Sequence, residues 1–439
     1  MERFDCHCHV FNILTVGWKA ILEELNESVS LLTDEKGNTL SLNAVSVDKQ
    51  KKVKIKIKKL VQLIKIFTGD SEKIFDMLDK NYKRQYKLFP LMFDGDFLLD
   101  SASNDHMQPI HQLLADAKQG GLLKGNATKG SATVAQNLML LADDDGKLLM
   151  DFLAKLSEQS APSKKLGASK DGFTIQYEQI EQLSKNPKYK DRLVPFLGVD
   201  PRRSNIKSYL SNVGAGKLFA GVKVYPPNGF SPYDKVLVGP DSVFEFCSKN
   251  QIPVVSHCSY GGFATPAMSI DVNGYIVPDG KAEAVAYSGA YTFSKGLRDG
   301  FTVMVRERAG VLNNPLVWEK VLEKYNNLIL VLAHFGSGSD VWQADILRLL
   351  KKYPNCYTDL SCMSDVPTIE AAKAIYNSNP DIQDKVLYGS DFFLDMFFND
   401  SFEQYLQRMQ KTLGAAMFDK ISVENPKKYM AKWYASAAN

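Results

Sequence analysis

Arg3-Phe4-Asp5-Cys6-His7-Cys8-His9-Val10-Phe11-Asn12 opens the chain, and its reading decides the fold. As a β-strand it alternates faces, so His7 and His9 share one side and Cys6 and Cys8 the other. Two imidazoles two residues apart on one strand face can grip a single metal ion, and imidazole suits Zn, Fe, Ni and Cu. A chance His-x-His on a loop or surface strand would look the same locally, so the rest of the chain has to decide.

Seven further apolar runs have the length of buried strands: 87–94, 193–201, 219–226, 252–258, 328–334, 356–360 and 385–391. Near-continuous apolar strands separated by helical patterns mean a parallel sheet buried on both faces, and eight in series predict an α/β fold of the (β/α)8 TIM-barrel type. We read residues 1–439 as one such barrel, carrying helical insertions after strand one (13–85) and strand two (101–190) and a long connection after strand five. Within the first insertion, 18–25 and 70–87 are amphipathic, the latter beginning at an N-cap-like Asp70. Residues 49–65 carry eight lysines. Val53, Ile57, Leu60, Val61 and Ile64 fall on one face there, predicting a helix with a solvated lysine-rich back, although 53–58 alone would also suit an edge strand. The second insertion is rich in Ser, Asn, Asp, Gly and Lys, with weak helical stretches at 111–117 and 135–141. Its His106 and His111 lack a partner at ligand spacing. Segments 401–413 and 425–434 read as closing helices.

Composition excludes several classes. With 45% hydrophobic and 23% charged residues the chain is globular in make-up. A formal charge of +3 is too small to imply a nucleic-acid or membrane partner for the whole protein. No apolar run approaches a bilayer-spanning length. Six cysteines without C-x-x-C spacing read as reduced, buried thiols of a cytoplasmic protein. The partner expected is a small-molecule substrate, a homo-oligomer being compatible with all of this.

Polar residues gather where the strands end. His7 and His9 end strand one, Lys223 lies near the end of strand four, and His257, His334 and Asp391 end strands five, six and eight. All sit at the carboxyl ends, the face where barrel enzymes keep their active sites. Four histidines and an aspartate at one rim are not a packing pattern; they point to a metal site. A divalent ion held by His7, His9, His257 and Asp391 would lower the pKa of a bound water to roughly 7. Asp391 can be ligand and proton acceptor at once, and His334 can donate to a substrate oxygen or shuttle a proton. Lys223 either bridges a second metal as a carbamate, pairs with an anionic substrate group, or forms a structural ion pair with a strand-end acid such as Asp359. Tyr225, Arg306 and Arg308 are further candidates for substrate contact.

This order of residues, with Asp5-Cys6-His7-Cys8-His9, Gly221-Val222-Lys223-Val224-Tyr225-Pro226-Pro227, His334-Phe335-Gly336 and Tyr388-Gly389-Ser390-Asp391, resembles the amidohydrolase superfamily, and most of all its amidohydrolase-related branch. The resemblance covers 1–12, 86–100 and 190–439 and leaves the insertions unmatched. It implies a mononuclear site, usually Zn, with His7, His9, His257 and Asp391 as ligands and His334 catalytic. It further implies hydrolysis of a C–N or C–O bond in an amide, ester or lactone. Non-oxidative decarboxylation of an aromatic or unsaturated carboxylic acid is the alternative. Relatives in other branches bridge two metals through a carboxylated lysine, an arrangement Lys223 leaves open. A third reading, of another class, is a non-catalytic metal-binding scaffold that uses the lysine-rich helix to recruit a partner.

Overall fold

The computed structural model describes residues 2–11, 31–32, 40, 42–67, 70–99, 137, 144–145, 147–150, 171–296, 299–392 and 401–431. They belong to two compact units, one of Met1–Phe11, Asp70–Ser101 and Gly172–Asn439, the other of Asn12–Gly69 and Ala102–Asp171. His106, His111, the helical stretches expected at 18–25 and 111–117, all but Asn137 of that at 135–141, and residues 432–434 lie outside the described residues.

The first unit is built on parallel strands β1 (Arg3–Cys8), β2 (Tyr86–Pro90), β3 (Phe196–Val199), β4 (Gly221–Val224) and β5 (Val254–Ser256). An antiparallel hairpin follows, β6 (Ser269–Ile276) with β7 (Val285–Thr292), and then β8 (Leu330–Leu332), β9 (Cys356–Asp359) and β10 (Val386–Leu387). β1 pairs with β2, while β3, β4, β5, β8, β9 and β10 form a six-stranded sheet in that order. Two seams of backbone hydrogen bonds join these parts. Leu88 N donates to Arg192 O (2.7 Å) and Val194 N to Leu88 O (2.9 Å) on one side. On the other, Cys6 N donates to Tyr388 O (2.9 Å), Asp391 N to His7 O (2.8 Å) and His9 N to Phe392 O (2.8 Å). The result is the closed (β/α)8 barrel that the eight apolar runs predict. Phe4, Cys6, Phe89, Leu91, Val255 and Val331 fill its interior, with Tyr429 and Met430 packed among them.

Helix α1 (Val47–Phe67) belongs to the second unit. Val53, Ile57, Leu60, Val61 and Ile64 are all buried in it, as the 3.6-residue spacing requires; the strand-like alternation of 53–58 stops at Lys58 while the helical spacing continues. The barrel unit contributes α2 (Ser71–Asn81), α3 (Gly172–Lys185), α4 (Val243–Asn250), α5 (Phe301–Leu312), α6 (Pro315–Lys324), α7 (Asp340–Lys352), α8 (Val366–Ser378) and α9 (Phe402–Leu413). Asp70, Ser242, Asn314, Ser339, Asp365 and Ser401 cap six of them by accepting a first-turn N–H.

The boundaries differ from the sequence reading in two places. α2 and α3, assigned there to the insertions, are the barrel helices that precede β2 and β3. Each buries an apolar stripe, Ile74, Phe75 and Leu78 in α2 and Phe173, Ile180 and Leu183 in α3, and Arg192 grips Asp79 through two hydrogen bonds of 2.8 and 2.9 Å. The hairpin β6–β7 was not anticipated. It leans its buried Val272 and Ile276 on Phe293, Val311 and Leu312 at the end of α5. All six cysteines are thiols outside any disulfide, five of them buried. Among the described residues no helix is long and apolar enough to cross a membrane.

Candidate metal centre

His7 and His9 lie at the end of β1, where its register is irregular between Asp5 and Cys8, and meet the returning chain at Asp391. Gly389 makes that return possible, because a Cβ there would lie 2.5 Å from His7 Cβ. His7 Nδ1 is 2.9 Å from the acceptor-only carboxylate of Asp359, and His9 Nδ1 is 3.0 Å from the Leu91 carbonyl. Both contacts need Nδ1 to carry the proton, which leaves each Nε2 as a lone pair. These lone pairs meet Asp391 Oδ1 at 3.5 Å from His7 and 3.0 Å from His9. His7 Nε2 and Asp391 Oδ1 are fully buried yet make no hydrogen bond. Ligand atoms of His7, His9 and Asp391 all fall within 4.8 Å of one another. Three acceptors converging without a hydrogen between them is an arrangement that a cation satisfies, so these residues fit a divalent metal ion.

Protonation states agree with that fit. Burial and the Lys223 charge hold the His7 imidazole down to about 3 against the pull of Asp359, so it is neutral at pH 7. Burial would raise Asp391, but the contact with His9 and the charges of His334, His7 and His9 hold it well below the usual carboxylate range. Asp359 is held low in the same way, burial being outweighed by the charge and hydrogen bond of His7.

His334 sits beside the cluster, its Nδ1 4.0 Å from Asp391 Oδ2. It is not joined to the cluster by His257 in the expected manner. His257 Nε2 donates to the Gly261 carbonyl (2.9 Å), and its Nδ1 faces His334 Nε2 at 3.0 Å. The expected third imidazole ligand therefore has its only lone pair in a hydrogen bond with His334. From there the chain of contacts continues through Ser361 Oγ, 2.8 Å from His334 Nδ1, to Asp359.

Two site residues stand on strained backbone, Asp391 at φ 56° and His334 at φ 66°, a region that L-residues rarely occupy. A buried carboxylate braces each. Asp5 accepts from Ser390 N (2.9 Å), Ser390 Oγ (2.6 Å), His7 N (3.2 Å) and Tyr82 Oη (2.9 Å), fixing the turn that carries Asp391. Asp359 accepts from His334 N at 3.0 Å and Ser361 N at 3.1 Å. Sequence reading missed both braces and Ser361. A signal existed for the first, since Asp5 shares strand parity with His7 and His9; for the second it was the position of Asp359 at the end of strand seven.

Lys223 is 2% exposed in β4. Among the described residues no hydrogen bond or ion pair engages its ammonium, so the structural pair with Asp359 is not formed. Burial pushes it down to about 8, against the more distant charges of Asp359 and Asp391. Tyr225 stacks on His257 with ring centroids 4.4 Å apart, and its hydroxyl accepts from Phe263 N at 2.8 Å. Phe93 meets the Tyr225 ring at 4.8 Å and Phe11 meets His9 at 4.8 Å, so aromatic rings lie against the site histidines. Arg306 is exposed on α5. Arg308 is corrected to a structural residue: wholly buried, it donates to the carbonyls of Thr265, Lys295 and Ala267, pairs with Glu307, and lies 4.2 Å from the Phe293 ring centroid. Its donors are used to anchor the connection after strand five.

Residues 150–429 match the family model described as Amidohydrolase, a span that holds Lys223, His257, His334 and Asp391 and begins after His7 and His9. Similar solved structures include a probable 2-pyrone-4,6-dicarboxylic acid hydrolase from Acinetobacter baumannii, 15% identical with a TM-score of 0.36, covering 64% of this chain and 88% of that one. Another is 5-carboxyvanillate decarboxylase from Sphingomonas paucimobilis, at 11% identity and a TM-score of 0.36, covering 74% and 96%. An uncharacterized TIM-barrel protein from Bordetella bronchiseptica is 14% identical with a TM-score of 0.39, covering 79% and 98%. No curated protein matches the chain.

Proposed function

The chain belongs to the amidohydrolase family of metal-dependent hydrolases and decarboxylases, and from that premise we propose that it hydrolyses an amide, ester or lactone bond of a small anionic molecule. The observation that carries the proposal is the convergence of the His7 and His9 lone pairs with Asp391 Oδ1, two of these atoms being buried without a hydrogen-bond partner. His7, His9 and Asp391 would hold one divalent ion, zinc being the one that the family resemblance implies and the donor set suits. His257 joins them only by giving up its hydrogen bond with His334. When bound, the ion supplies the Lewis acidity that makes water a nucleophile near neutral pH.

The protein's own groups do the rest. Asp391, kept ionised, takes the proton of the attacking water at its Oδ2. His334, 4.0 Å from that oxygen and neutral because burial lowers it, relays the proton to the leaving group. The Lys223 ammonium, buried without a partner, pairs with the substrate's anionic group, and Phe93 and Tyr225 seat its apolar part. Non-oxidative decarboxylation is the second reading, favoured by Lys223, since a carboxylate is the anion such a reaction consumes.

Elemental analysis of protein purified without chelators, beside His9→Ala and Lys223→Ala, tests the metal. About one ion per chain, lost in His9→Ala and kept in Lys223→Ala, supports a mononuclear centre. Two ions falling in Lys223→Ala indicate a lysine bridge, and no ion under any supplementation sinks the proposal. Release of carbon dioxide from a panel of carboxylic acids, with lactones, esters and amides untouched, moves the chain to the decarboxylases.

A further inference from the structure

We propose that the outward face of α1 is a docking surface for an anionic lipid bilayer. The helix carries eight lysines and a single acid, Asp48, a local charge of +7 that leaves the rest of the chain at −4. Whole-chain charge hides this separation: +3 overall implies no membrane partner, although the lysine-rich helix by itself also admits the reading of a surface that recruits a partner.

Lys49, Lys51, Lys52, Lys54 and Lys58 are exposed, and no hydrogen bond or ion pair engages their ammonium groups among the described residues. Several lysines elsewhere sit beside a counter-charge. Lys80, Lys185 and Lys249 each pair with an acid one turn earlier at 2.6, 3.1 and 2.9 Å, and Lys352 reaches Glu319 at 2.9 Å. A face of like charges without counter-charges repels itself and is stabilised by an external anion.

The form of the face selects which anion. Val47, Lys51, Ile55 and Lys58 lie along one ridge opposite the buried stripe, and Val47 and Ile55 are 78% and 48% exposed. Apolar side chains set among lysines suit the headgroup region, where the charges hold the helix to the surface and the apolar groups enter it. Nucleic acid would instead favour arginine forks and aromatic stacking, and α1 contains no arginine and no aromatic residue before its last position, Phe67. Because the stripe opposite is buried in the fold, the contact is adsorption and not insertion of the whole helix.

Co-sedimentation of the full chain with phosphatidylcholine vesicles, and with vesicles containing about one third phosphatidylserine, tests this. The protein should pellet only with the anionic vesicles and be released by about 0.5 M salt, where charges are screened beyond roughly 4 Å. Each lysine neutralised should lower the partition about five-fold. The triple variant Lys51→Gln, Lys54→Gln, Lys58→Gln should therefore lose about a hundredfold, and Ile55→Ser a smaller amount with the charge unchanged. Circular dichroism identifies any variant that has lost its fold; should the triple variant do so, the single variants Lys51→Gln and Lys58→Gln carry the comparison. Equal binding to neutral vesicles, unchanged partition in the lysine variants, or salt-sensitive binding to duplex DNA with none to vesicles overturns the proposal.

Discussion

Lys223→Met should make the metal-free protein more stable at pH 7. The ammonium is buried, unpaired, and pushed down from its ordinary 10.5 to about 8. Between those two values the folded chain binds fewer protons than the unfolded chain, so stability rises with pH across that window; below about 8 the penalty is present in full. Each unit of the difference is worth about 1.4 kcal/mol, so the penalty at pH 7 is roughly 3 kcal/mol. Methionine has nearly the length and volume of the lysine stem and carries no charge, so it removes the penalty without opening a large cavity. Urea denaturation of the apo-proteins at pH 7 and near pH 10.5 measures the gain, which should be largest at the lower pH and nearly vanish at the higher. The same substitution should weaken binding of an anionic substrate. In the parent enzyme kcat/KM should fall at the pH where the ammonium deprotonates, and that limb should be missing in Lys223→Met. Equal or lower stability of Lys223→Met at pH 7 would mean that the ammonium is solvated or paired in the native protein, and the argument for it as an anion-binding group would fall with it.

Asp359→Asn should lower metal affinity by roughly 10- to 100-fold in equilibrium dialysis, because the amide no longer fixes the His7 proton on Nδ1; unchanged affinity would show that His7 is oriented by packing alone. His334→Asn should reduce kcat by about 10²- to 10⁴-fold while the bound metal content stays at the parent level, the mark of a proton relay and not of a ligand. Arg308→Ala should cost roughly 3 kcal/mol of stability, since it leaves three carbonyls without their donor and removes the counter-charge of Glu307, and a selective rise in KM for an anionic substrate would restore Arg308 as a substrate contact.

The barrel and its chemical rim were legible because each strand announces itself locally. His7 and His9 are separated by the strand period, and His257, His334 and Asp391 each end an apolar run, so their common rim follows from parallel topology, while the left-handed turns that aim His334 and Asp391 do not. What was hidden depends on contacts between distant segments. Asp359 could be written as a partner of Lys223 or of His7 with equal right until the barrel closed, and only the distances choose. His257 fits a ligand pattern by order along the chain, yet the direction of its ring is set by Gly261 and His334. Arg308 reads like any surface arginine, because nothing in α5 alone reveals that the hairpin carbonyls will surround it. The hairpin itself carries a local signal, an alternating Ser269–Ile276 followed by Pro278-Asp279-Gly280, which differs from the continuous apolar runs of the parallel strands.

The seam between β1 and the segment after β10 also sets an order of events. Asp5 and Ser390, whose hydrogen bonds fix the turn before Asp391, are 385 residues apart. At ribosomal speeds of about 5–20 residues per second, between roughly 20 and 80 s separate the synthesis of the two. During that interval His7 and His9 stand on a strand whose closing neighbour does not exist, with the thiols of Cys6 and Cys8 on its other face. The nascent chain therefore passes through a state in which its metal-seeking groups are present but have no site to share. With the ion held as proposed by His7, His9 and Asp391, its capture awaits barrel closure, and any truncation ahead of Asp391 leaves a chain that retains both imidazoles without their third partner.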